Sequence, residues 1–273
     1  MKIHDFGIKL RFEGGDADDH LLELYDGTSS LHGFAQALQI TTHAYLHGQV
    51  YSKATALKGA TLYLKAARPG SLVTDLIAKI EKYPPTVSVS AGSFYDFMRL
   101  TFARATGNLD AKAETAYVQR LLENDEPFFD DLSETLEGSL QRAHRAIEKG
   151  GVDRVILERP RGEELGVFNK ETCLWVNTRE EKPDVFELTG NVTRYNSVTG
   201  NGRAYVNEVG RIVPFRLSED FSFGKRGRLT WSLHGSAINV SHQLDIQARK
   251  VESSHGDVKR LILVDVNQSA ADV

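Results

Sequence analysis

From Val155 onward the chain breaks into short β-favouring runs: "RVILER", "LGVFN", "CLWVN", "DVFELTGNVTRYN", "RAYVNEVGRIVPFRL", "GRLTWSLHGSAINV", "HQLDIQARKVES" and "VKRLILVDV". Glycine-rich or polar turns separate them, and no other feature restricts the fold as much. Regularly spaced short strands of this kind argue for a small barrel or sandwich. Each run is therefore expected as strand, with the barrel core over residues 185–265 and the polar end "NQSAADV" frayed. "EKGGVDR", two glycines after a polar helix, marks a boundary near residue 150. The expected units are a sheet-and-helix domain over 1–150 and a β-rich domain over 151–273.

In the first unit Ile8, Leu10 and Phe12 alternate with Lys9 and Arg11, the period of a half-buried strand. "GGDADD" supplies a turn and "HLLELYD" reads as the returning strand. In "DGTSSLHGFAQALQITTHAYLHG", Asp26, Thr28, Ser29 and Ser30 are candidate N-caps and Gly48 a C-terminal stop. Leu31, Phe34, Ala35, Leu38, Thr42, Tyr45 and Leu46 share one face, which predicts a helix. "GATLYLKAA" reads as a strand. In "RPGSLVTDLIAKI" the apolar spacing fits a helix, whereas the preceding turn and hairpin context favour a strand, and the strand is preferred. Residues 90–148 lack alternation and predict about three helices, broken near "TGNLD" and "NDEPFFDD". The fold class is then α+β: a small N-terminal antiparallel sheet covered by helices, followed by a C-terminal OB/SH3-like β-barrel.

Composition sets outer bounds. At 41% hydrophobic and 26% charged, the 273 residues are those of an ordinary globular protein with no apolar run long enough to span a membrane. The opening "MKIHDFGIKLRFEGG" alternates like a strand and lacks the features of a signal or transit peptide. One cysteine, Cys173, excludes an internal disulfide and a cysteine-rich zinc site, so a cytoplasmic location is expected. The net charge of −4 is uneven: residues 191–265 carry 11 Lys and Arg against 7 Asp and Glu. A polyanion would meet the C-terminal part.

Gly190, Val192, Tyr195, Asn196, Gly200 and Gly202 give the spacing G-x-V-x-x-Y-N-x-x-x-G-x-G. It resembles the first hairpin of cold-shock domains and similar OB-type barrels. The resemblance implies a five-stranded barrel whose second and third strands carry aromatic residues that stack on bases of single-stranded nucleic acid. This chain departs from that family by placing Arg194 where Trp is common, and Asn201 and Arg203 where Phe is common. The implied interface is Arg194, Tyr195, Arg203, Arg211 and Phe215, with Arg216 beside them and Lys225, Arg226 and Arg228 in the turn "GKRGR". Against it, Gly200 and Gly202 can serve a tight turn alone, and strand arginines are usually solvated. Over the whole chain, "LYDGTSSLHGFAQALQITTHAYLHG", "RPGSL" and "TWSLHG" resemble a family of uncharacterised bacterial proteins, some suspected of acting in defence against phage.

Other constellations are weaker. His32, His43 and His47 lie about 100, 120 and 160° from Leu31 on a helical wheel, and the i, i+4 pair His43 and His47 has the spacing of zinc helices. "HAYLH" has no Glu after its first histidine, and a polar helix edge explains it as well. Asp16, Asp18 and Asp19 lack the remainder of a calcium loop. Ser236 lacks the second glycine of a nucleophile elbow, and Cys173 reads as an inert thiol in a strand. No cofactor is expected. The first expectation is a non-enzymatic nucleic-acid-binding or adaptor protein of a bacterial anti-phage assembly, with single-stranded nucleic acid and a protein partner. The alternatives are a protein scaffold or self-assembling subunit, and a metal-dependent enzyme built on the histidines.

Overall fold

The N-terminal alternation is realised as β1, His4–Glu13, in which Phe6, Ile8, Leu10 and Phe12 are buried and the residues between them are not. In the computed structural model, which describes residues 3–51, 58–65, 73–85, 87, 89–109, 111–124, 126–177, 180–181, 183–198, 200–238, 240, 242–252, 256 and 258–269, β1 is the centre of a five-stranded sheet. The order is β2-β3-β1-β4-β5, with β2 at Ala60–Leu64, β3 at Val73–Ile80, β4 at Arg154–Glu158 and β5 at Glu164–Phe168. All four pairings are antiparallel. The strand preferred for "VTDLIAKI" is thus found.

The covering helices are α1 (Leu24–His47), α2 (Ala91–Ala105), α3 (Ala116–Asn124), α4 (Glu126–Ala143) and the single turn α5 (Arg145–Glu148). Phe34, Leu38, Phe94, Phe97 and Leu136 are fully buried in the core they share with β1, where the Phe6 and Phe94 rings stack at 4.5 Å. Small residues let α1 approach α4 and α5. A Cβ on Gly33 would lie 2.2 Å from the Ala143 nitrogen, and the Ser30 hydroxyl accepts a hydrogen bond from Ala146 N at 2.9 Å. Arg145 Nε donates to Asp26 at 2.5 Å. The phrase "LYDGTSSLHG" is therefore a helix-packing seam.

Several expectations are corrected here. "HLLELYD" is no strand: a 3-10 turn over Gly15–Asp19 and a short loop lead into α1, and the Glu23 carboxylate accepts from Asp26 N as its cap. Thr28 and Ser29 instead bond back to the carbonyls of Leu24 and Tyr25 within the helix. Gly48 does end α1, with φ 60° and its N–H on the Ala44 carbonyl. The chain divides after Asn177 rather than near residue 150, because β4 pairs with β1 and β5 with β4. "CLWVN" belongs to a helix, α6 (Lys170–Asn177), which Asn169 and Thr172 open by exchanging side-chain to backbone hydrogen bonds at 2.8 and 3.0 Å.

The second unit, residues 178–273, is the expected barrel. Its strands are β7 (Phe186–Tyr195), β8 (Asn201–Val206), β9 (Arg211–Leu217), β10 (Leu244–Glu252) and β11 (Val258–Gln268), with the two-residue β6 (Glu180–Glu181) on the end of β10. β7 pairs with β8 and β10, β8 with β9, and β10 with β11, all antiparallel; β9 pairs with β11 in parallel and closes the ring. Val192, Val213, Leu244 and Leu261 point into its core. "GRLTWSLHGSAINV" is not a strand: residues Arg226–Ala237 form helix α7 between β9 and β10. Its Ser232 hydroxyl accepts from Val192 N at 3.0 Å and donates to the His242 carbonyl at 2.7 Å, tying the helix to β7. Among the described residues, no helix is long and apolar enough to cross a membrane.

Candidate nucleic-acid interface

The glycines of the opening hairpin build the barrel. Gly200 turns the chain at φ 74°. A Cβ on Gly202 would lie 2.3 Å from the Phe215 ring, and one on Gly190 would lie 2.0 Å from the Tyr205 carbonyl oxygen. Both positions admit only hydrogen, so strands cross closely there.

That geometry sorts the sequence-predicted residues. Phe215 is 3% exposed and belongs to the barrel core, with the Tyr195 ring packed on it at 6.3 Å. Arg203 is 1% exposed, among the largest fully buried side chains of the protein. Neither is placed to lie on a base. Arg194, at the end of β7, and Arg216, on β9, are exposed. Arg211 is half-buried, and its Nη2 donates to the Val258 carbonyl at 2.5 Å.

Lys225, Arg226 and Arg228, expected in a turn, stand instead at the start of helix α7. Two of them are clasped onto β11. Lys225 Nζ lies 2.5 Å from both Asp265 oxygens, and Arg228 Nη1 donates to the Val266 carbonyl at 2.8 Å and to Asn267 at 2.7 Å. Burial alone would raise the Asp265 pKa, but the Lys225 hydrogen bond, the Val266 N–H bond and the charges of Lys225 and Arg228 together hold it below the usual carboxylate value. Arg226 instead lays its guanidinium 5.2 Å from the ring centre of Phe223.

An aromatic residue that sequence reasoning passed over stands on the outer face. Tyr205, in the middle strand β8, is 42% exposed. Cross-strand partners put Ile212 opposite Tyr205, Pro214 opposite Arg203 and Arg216 opposite Asn201. The outer face of β8 and β9 thus carries one accessible ring flanked by apolar contact surface, with Arg216 and Arg194 toward the β7–β8 turn. Alternation with Asn201 and Arg203 was the available signal for Tyr205.

The histidines do not converge. His43 and His47 are neighbours, with ring centres 4.5 Å apart. His47 Nε2 is 2.9 Å from the Lys58 carbonyl oxygen. Burial, followed by the charge of His47, lowers the His43 pKa. His32 is exposed and eleven residues up the same helix, about 16 Å away by helical rise. Among the described residues, no group of three His, Cys, Asp or Glu side chains is placed to hold a metal ion. Ser236 donates to the Val192 carbonyl at 2.8 Å. Cys173 is buried in α6, and burial pushes its thiol pKa up.

Two family models match the chain: Domain of unknown function (DUF7946) over residues 8–174, and Family of unknown function (DUF7947) over residues 184–267. The gap between them falls at the division after Asn177. No curated protein and no solved structure matches. By its first and larger unit, the chain belongs to the DUF7946 family.

Proposed function

We propose that the protein is a non-enzymatic adaptor whose barrel binds single-stranded nucleic acid across the outer face of β8 and β9. One observation carries the reading: a closed five-stranded barrel, with a helix between its third and fourth strands, displays Tyr205 on the face that OB barrels use for oligonucleotides. Tyr205 is the stacking platform, Ile212 and Pro214 extend the apolar contact, and Arg194 and Arg216 meet phosphates. Fewer platforms than a cold-shock barrel has imply weaker, sequence-tolerant binding that depends on salt.

Fluorescence anisotropy with mixed-sequence single- and double-stranded DNA and RNA tests this at low and moderate salt. Preference for single strands is expected. Tyr205→Ala should weaken binding roughly 5- to 150-fold, the equivalent of one lost stacking contact. Replacing Arg194 and Arg216 together by Ala should flatten the salt slope by about 1.4. No binding at low salt, or binding indifferent to Tyr205→Ala, removes the reading.

The setting in a bacterial anti-phage assembly rests on the resemblance carried by the α1 and α7 phrases. Phage plating on bacteria that express the wild-type chain or Tyr205→Ala from the natural locus tests it. Equal plating would detach the protein from defence.

A further inference from the structure

Two surfaces outside the β8–β9 face complement one another. The first is at the start of α1, where Leu21, Leu24 and Tyr25 are 63%, 78% and 66% exposed. Beside them is a cavity of about 170 Å³ whose lining includes Asp16, Glu23 and Asp26 against the single cation Lys149, with Leu22 and Gly27 beside them. Gly27 packs closely on Leu22 there, since a Cβ would lie 2.3 Å from Leu22 Cγ. Its surroundings are acidic. Asp16, Asp18, Asp19 and Glu23 follow closely in the chain, and no Lys or Arg occurs between Arg11 and Lys53. Arg145 pairs with Asp26 at 2.5 Å, and the lining Lys149 has Glu148 3.7 Å away.

The second surface is the segment between β9 and α7. Phe223 is 81% exposed, more than any other phenylalanine among the exposed large hydrophobics. Arg226 lies over its ring, Lys225 and Arg228 flank it, and the first turn of α7 contains no acidic residue. An exposed ring capped by the Arg226 guanidinium matches exposed Leu21 and Leu24 beside the carboxylates of Asp16 and Glu23. Leaving the apolar area of either open to water is unfavourable, and the opposite charges beside the two areas favour their meeting each other.

We propose that the Phe223–Arg228 segment of one copy docks into the acidic, apolar cleft at the start of α1 in a second copy. Phe223 packs on Leu21 and Leu24, and the Arg226 guanidinium faces the carboxylates of Asp16 and Glu23. The two halves of this contact are different surfaces, so the association is head-to-tail and every bound copy still offers one free half. Assembly then continues until a ring closes or the protein is exhausted.

Sedimentation velocity on the full chain, freed of nucleic acid, tests the proposal. Concentration-dependent assembly is expected, and high salt should weaken it. Leu24→Ser and Phe223→Ser, both at exposed positions and checked for unchanged melting, should each raise the dissociation constant at least about tenfold. Mixing the two variants is the decisive step. Each retains the half that the other lacks, so an equimolar mixture should form dimers and nothing larger. A monomer at every concentration reached, assembly that either variant leaves unchanged, or a mixture that stays monomeric overturns the proposal. Tyr205→Ala serves as the control that assembles normally, which keeps this result separate from nucleic-acid binding.

Discussion

His144 is fully buried where α4 meets α6, with Nδ1 2.7 Å from the Leu140 carbonyl oxygen and Nε2 2.9 Å from the Thr172 hydroxyl. With Nδ1 donating and Nε2 accepting, the neutral ring satisfies both neighbours. Burial pushes its pKa down to about 4, with the Leu140 hydrogen bond opposing. An unfolded chain takes up that proton near pH 6.5 and the native chain only near 4. The stability from this site is therefore complete above pH 6.5 and is lost as pH falls toward 4, by about 3 kcal/mol in all. Urea unfolding between pH 7 and 4 should show the loss, and His144→Gln should flatten that part of the curve. An unchanged fall in the variant would assign the titration to other groups. At the same scale, Arg203 and Tyr205 occupy the same side of β8 by alternation. One is buried and the other exposed, a difference that residue type and spacing do not encode.

Among the elements, the seam between α1 and α4 gives the sharpest mutational forecast. Gly33→Ala gains up to about 1 kcal/mol of helix propensity, yet its methyl would meet backbone atoms that cannot swing away. Overpacking costs of about 1–3 kcal/mol should prevail and lower the melting temperature by several degrees. A stabilised variant would show that the helices separate more easily than their packing implies. Elements with one strong period were legible from sequence: β1 by alternation, α1 by its apolar stripe and Gly48. Two helices were not. The buried residues of α7 are Leu229, Ser232 and Gly235, mostly small or polar, while Leu229, Trp231 and Leu233 alternate like a strand. The run "CLWVN" has no period at all, and the Asn169 and Thr172 capping pair was its only helix signal. The partners of β1 come from residues 73–80 and 154–158, pairings set by tertiary packing that no local pattern announces. For the candidate interface the hairpin and its arginines were legible. The inward turn of Phe215 follows from barrel closure and was not, nor was the burial of Arg203 on the side of β8 that carries Tyr205.

At the scale of the whole molecule, the two cores have no residue in common. Residues 178–273 made alone should therefore retain β-rich circular dichroism and melt in one cooperative transition. A broad, featureless melt would mean that the barrel depends on the first unit. The first unit has a different dependence, one of time. Within this unit β1 is synthesised before its partners, and its second neighbour, β4, begins only at Arg154. At ribosomal rates the strand bearing Phe6, Ile8, Leu10 and Phe12 waits roughly 7–30 s before that edge can be covered. During this interval three of the five strands and the helices α1 to α5 have been made while that backbone edge stays open. A slow codon just ahead of residue 154 would prolong the stage at which the nascent chain is most able to pair with a stranger.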